Sequence, residues 1–229
     1  VTRSGADPTD PVSDDGPAQP GLSDRVRAGA ALFNAGHHLA AHDPWEAAWL
    51  PLESGPDERL CHGLIQTAAA THHAPDNVDG ATTLAAGARD YLDGLDGHRG
   101  VALAPVHDWL DALAADPGVI RERDPPELRV GGAVVTPGDL EFPAASVAAP
   151  HLAAARGEDA AADLLERAAA FGRADLADGE TTSPFVTLVL EVLDPERPDA
   201  MPLSRLRDHV QRREQRVQDV SGLFDADEG

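Results

Sequence analysis

Lysine is absent from the sequence: all 18 basic residues are arginine, set against 40 Asp and Glu for a formal net charge of -22. With positive charge so scarce, nucleic acid is disfavoured as a partner, because phosphate contacts need grouped Lys or Arg. Cysteine is almost missing too. The single Cys61 excludes an intrachain disulfide and any Cys-rich metal framework, and reads as a small buried hydrophobe. No run of 18 apolar residues occurs, so nothing in the sequence reads as a membrane-spanning helix. A glycine-rich phosphate loop, a nucleophile elbow and a zinc-spaced cysteine pair are all lacking.

What is plentiful is acid. Asp outnumbers Glu by about two to one, alanine is abundant, and the carboxylates are spread along the whole chain. Self-repulsion on this scale destabilises a compact state at low salt and is screened within roughly 3 Å in molar salt. The composition therefore reads as a cytoplasmic protein of a salty cell interior, kept soluble by hydrated carboxylates. Recognition of a basic partner fits less well, since the acids are not gathered on one segment. Residues 1–21, rich in Pro, Asp and Gly, are expected to form a disordered acidic tail without a secretory signal core.

The periodicity predicts a mainly all-α fold, with a helical bundle in the N-terminal half and further helices plus a short β-hairpin in the C-terminal half. Ser23 is the expected N-cap of the first helix and Asn34-Ala35-Gly36 its stop. Further helices are expected over 56–73, 81–95 and 105–115. A charged, Pro-bearing linker over 116–127 separates a helical domain at 22–115 from a mostly helical region at 128–229. There Gly131-Gly132, between Leu128-Arg129-Val130 and Ala133-Val134-Val135, signals a hairpin. Helices follow over about 144–156, 158–177, 184–193 and 203–224. Arg205, Arg207, Arg212, Arg213 and Arg216 form the one basic cluster, on the last helix, and are expected to pair with the acidic surface.

Six of the ten histidines (His37, His38, His42, His62, His72 and His73) crowd into one stretch with Asp43, Glu46 and Gln66. Imidazole is the commonest metal ligand and the side chain readiest to move protons near neutrality. Two geometries compete. A continuous helix from 38 to 50 would stack His38, His42 and Glu46 on one face. An interior Pro44 would cost such a helix about 3 kcal/mol, so the preferred reading starts the helix at Pro44, with Asp43 as its cap and Glu46 reaching back. Trp45 and Trp49 then pack inward, and Gln66, on an apolar face, must find a partner.

The segment Leu32-Phe33-Asn34-x-Gly36, His42-Asp43-x-x-Glu46-x-x-Trp49, Gly63-Leu64-Ile65-Gln66 and Gly80-Ala81 resembles the domain-of-unknown-function 309 family over about residues 22–95. The resemblance implies a small helical bundle and a site carried by His42, Asp43, Glu46, Trp49, Gly63 and Gln66, with His72 or His73 as the terminal histidine. It implies no reaction, cofactor or substrate. His38 departs from the family pattern, which has an aromatic residue near there.

Two functions follow as expectations. In one, His42 and Glu46 act as catalytic base and acid partner or, with His73, as ligands of a divalent metal ion. Asp43, Trp49, Gln66, His72 and His73 then bind a small polar ligand, and a hydrolytic or proton-transfer step is open to the site. In the other, the motif is a buried hydrogen-bond network in a noncatalytic scaffold that contacts a protein partner or a second copy of itself. The charge supplies the first prediction: the melting temperature should rise steadily from 0.1 M to molar KCl. A flat or falling profile would refute the reading of the acidic surface.

Overall fold

The computed structural model describes residues 19–196 and 200–225, with side chains up to residue 219. The expected acidic tail lies outside the described residues up to residue 18. Apolar positions recurring every three or four residues build nine α-helices among the described residues. The first five are α1 (Leu22–Asn34), α2 (His38–Trp49), α3 (Pro56–His73), α4 (Val78–Leu92) and α5 (Ala104–Ala115). After a two-strand hairpin, β1 (Arg129–Val130) and β2 (Ala133–Val134), come α6 (Phe142–Ala155), α7 (Asp159–Ala177), α8 (Pro184–Leu193) and α9 (Ala200–Asp225). The chain is mainly α, as its periodicity predicts, and no described helix is long and apolar enough to cross a membrane.

Three local expectations are corrected. Helix α1 starts after Gly21 rather than Ser23, because the Asp24 carboxylate accepts the Gly21 N–H at 2.9 Å. Helix α4 begins three residues early, since the Asn77 side chain accepts the Gly80 N–H at 3.1 Å and caps it there. The largest correction concerns α2. It runs unbroken from His38 with Pro44 inside it, so Asp43 is no cap and Glu46 closes no capping box. A continuous helix aligns Ala41, Trp45 and Ala48 on one buried face. That burial offsets the hydrogen bond lost at Pro44, which is itself buried. The Trp45 indole donates to the Val26 carbonyl at 3.2 Å, and a Cβ at Gly29 would fall 2.3 Å from the indole nitrogen. Close approach of α1 and α2 thus demands glycine at that position.

Helices adjacent in sequence pack on one another from α1 to α5 and again from α6 to α9, while α6 also lies against α1 and α2. One apolar cluster runs from Val26 in α1 to Val210 in α9. Inside it the Trp109 indole donates to the Thr71 hydroxyl at 3.0 Å, which donates to the Thr67 carbonyl at 2.8 Å, so these two buried side chains are paired. Of the basic cluster on α9, Arg213 pairs with the buried Asp175 at 3.1 Å, beside the Ser183 hydroxyl.

In the hairpin Arg129 faces Val134 and Val130 faces Ala133. Gly131 and Gly132 have φ of 66° and 84°, the two positive values that a tight primed turn requires. Asn34, at the end of α1, ties this hairpin to the bundle. Its amide nitrogen donates to the carbonyls of Leu128 and Val135, both at 2.9 Å, and its Oδ1 accepts the Leu128 N–H at 2.7 Å. Replacing Asn34 with alanine would strand these three backbone groups. We expect Asn34→Ala to lower unfolding free energy by about 2–4 kcal/mol in urea titration; a loss within about 0.5 kcal/mol would show that the clamp is dispensable.

Candidate functional site

Because α2 is continuous through Pro44, His42 and Glu46 fall one helical turn apart on the same face, and Asp43 stands beside them. His42 Nδ1 lies 3.6 Å from Asp43 Oδ1 and 3.9 Å from Glu46 Oε2. One nitrogen and two carboxylate oxygens of this trio lie within 4.8 Å of one another, the only such metal-competent group among the described residues. The His42–Glu46 separation exceeds hydrogen-bond reach, so the two do not form a hydrogen-bonded acid–base pair. The trio faces solvent: the Asp43 side chain is 56% exposed and that of Glu46 47%.

Asp43 also reaches across to α6, where His151 Nδ1 lies 3.5 Å from its Oδ2. Between α2, the last turn of α3 and the C-terminal part of α6 opens a cleft of about 410 Å³, bordered by Asp43, His37, His38, His72 and His151. Burial holds His38 below the usual imidazole range, with help from neighbouring His72 and His37. Burial likewise lowers His151, against the opposing pull of Asp43 and Glu166. Burial therefore favours the neutral form of both rings, the form with a lone pair for a metal or a donor group.

Trp49 and Gln66 lie elsewhere. The Trp49 indole donates to Glu58 Oε1 at 2.9 Å, and its ring sits 4.9 Å from the His62 ring. His62 stacks on Tyr91 at 4.0 Å, and its Nε2 meets the Gln66 amide nitrogen at 3.1 Å. His62 Nδ1 is fully enclosed without a hydrogen bond; Glu58 Oε1 lies 3.5 Å away but outside bonding geometry. Two glycines permit this arrangement. A Cβ at Gly63 would come within 2.5 Å of Leu92, and one at Gly87 within 2.4 Å of Gln66 Oε1. The result is a polar knot that fastens α2, α3 and α4 together.

The residues singled out by sequence thus separate into two places. His42, Asp43 and Glu46 cluster on the outer face of α2, and Asp43 and His72 border the cleft. Trp49 and Gln66 belong to the knot. The structure does not bring His73 to His42 and Glu46: it is exposed at the end of α3 and stands against His72, 5.1 Å between rings. Asp43 takes the third place in that group. Sequence reasoning missed His151, Glu58 and Tyr91. His151 had a legible signal, a lone imidazole within the otherwise apolar run Phe142–Ala155; Glu58 and Tyr91 had none, since their roles depend on helix pairing. It missed also the Asp57 carboxylate, which pairs with His98 at 2.7 Å and with Arg99, and which the Arg99 hydrogen bond, chiefly, holds below the usual carboxylate range.

The described chain is mainly α, with a histidine–carboxylate trio on its second helix. Residues 26–84 match the family model of a domain of unknown function, DUF309, a segment reaching from α1 into α4 and containing the trio and most of the knot. No curated protein matches the chain.

Five histidines (His37, His38, His107, His151 and His209) have their pKa lowered, each chiefly by burial. Since the unfolded chain then takes up protons first, stability is complete above about pH 6.5 and falls as the pH drops below it. Unfolding midpoints measured from pH 7.5 to 5.0 should decline across that window; midpoints constant to pH 5 would contradict the burial of these rings.

Proposed function

We propose that this protein binds a divalent cation at His42, Asp43 and Glu46, beside the histidine-bordered cleft. The observation that carries the reading is the mutual approach of one imidazole nitrogen and two carboxylate oxygens within 4.8 Å. That donor set suits zinc, manganese or ferrous iron better than a soft thiolate-seeking ion. A net charge of -22 adds a long-range attraction for cations at low salt. Bound there, the ion would supply Lewis acidity at the edge of the cleft, and a small polar substrate with a hydrolysable bond is the class of ligand that would use it. In this reading His42 and Glu46 hold the ion, Asp43 shares it or turns to His151, and His72 contacts the ligand from the opposite wall.

A second reading draws on the knot. Trp49 donates to Glu58, Gln66 meets His62, and His62 stacks on Tyr91, contacts that join α2, α3 and α4 and favour a structural role for that half of the motif. The two readings divide the motif between them: Trp49 and Gln66 fix helix order, and the trio faces the ligand. The scaffold account prevails for the whole motif only if the trio binds nothing.

Melting of the full chain with Mn²⁺ or Zn²⁺ tests the cation reading. At ten times Kd the midpoint should rise by about 3–6 °C. Glu46→Gln and His42→Ala should abolish the rise while retaining a cooperative transition. Absence of any shift with either ion up to millimolar concentration, or an equal shift in both variants, would refute cation binding at the trio.

A further inference from the structure

Several arginines of this chain pair with a carboxylate. Arg89 pairs with Asp93 and Asp111, Arg99 with Asp57, Arg167 with Glu214 and Arg213 with Asp175. Two do not. Arg25, in the first turn of α1, has no side-chain hydrogen bond or ion pair among the described residues, and Arg173, on α7, has only a hydrogen bond of 3.3 Å to the Ser146 hydroxyl. Both border one cleft of about 330 Å³ between α1, α6 and α7, together with Ser146, His151, Asp163 and Glu166. Among the described residues no carboxylate lies within 4.0 Å of either guanidinium. Glu166 and Asp163 stand at the exposed rim and pair with neither.

The electrostatics agree with the geometry. Burial, and after it the positive charge of Arg25, pulls the Arg173 guanidinium below its usual range, against the opposing pull of Glu166, so the two cations act on one another. Like charges held together in a partly desolvated hollow are unfavourable unless an anion lies between them. Arg173 is positioned for one: its single bond to Ser146 leaves most of its five N–H donors unused. Ser146 cannot turn away, since it is buried and its hydroxyl donates to the Pro143 carbonyl at 2.8 Å. The planar fork of arginine matches an oxyanion through paired, charge-assisted hydrogen bonds.

We propose that this cleft binds the oxyanion group of a small ligand, a phosphate or a carboxylate, clamped between Arg25 and Arg173. The proposal rests on these two arginines and is independent of cation binding at His42, Asp43 and Glu46. It does place the two sites side by side, because His151 borders both clefts and approaches Asp43 at 3.5 Å. A ligand with an anionic group at one end can lie across His151 with its other end near Asp43.

The test is titration calorimetry and thermal melting of the full chain with inorganic phosphate and, separately, with succinate, at constant ionic strength in KCl. Saturable binding of one probe is expected, and which probe saturates distinguishes phosphate from carboxylate as the recognised group. Arg173→Gln and Arg25→Gln should each weaken that binding about tenfold or more. If Arg173→Gln does not fold, Arg25→Gln decides alone. Absence of saturable binding by either probe would overturn the proposal. So would a stabilisation that climbs without saturation and equally in the variants, since excluded anions stabilise any fold in that way.

Discussion

The seat of Trp45 against Gly29 governs much of what the N-terminal half presents. With the indole buried there and its N–H held by the Val26 carbonyl, α2 must present Ala41, Trp45 and Ala48 inward together. A helix broken at Pro44 would turn these residues to different sides. Keeping them aligned forces the backbone through the proline as a helix, and the opposite face then carries His42 and Glu46 one turn apart. The grouping of imidazole and carboxylates is therefore a consequence of core packing on the other side of the same helix.

The His-Asp-x-x-Glu-x-x-Trp pattern consequently has two physical jobs. Its first part points outward and to α6; its last residue, Trp49, points to α3 and donates to Glu58. The glycines of the neighbouring segments belong to the second job. Gly63 and Gly87 lie where α3 and α4 come too close for a β-carbon, and that proximity lets His62 stack on Tyr91 while Gln66 reaches His62. Asn34 extends the pattern past the bundle, pinning a hairpin almost a hundred residues away through its three bonds to Leu128 and Val135. A motif compact in sequence thus organises helix order, hairpin docking and a polar face at once.

Helix α6 completes the picture. It lies outside the segment that matches the family model, yet packs on α1 and α2, and its His151 borders two clefts. On one side are Asp43 and three more imidazoles; on the other are Arg25 and Arg173, with Asp163 and Glu166 at the rim.

The sequence by itself determined the helical class, the limits of α3 and α8, the glycine turn of the hairpin, and the residues around which polar chemistry gathers. Each of these depends on local information: apolar spacing, Pro and Gly conformational limits, and residue type. It also set the acidic character of the surface. Which of two geometries α2 adopts was decided only by tertiary structure, because the gain from burying Trp45 against α1 is invisible to a local count that sees Pro44 as a break. The same holds for the separation of Trp49 and Gln66 from His42, for the exclusion of His73 from its expected place, and for the arrival of His151 from α6. These depend on which helix faces which, a matter of shape and close packing between segments distant along the chain.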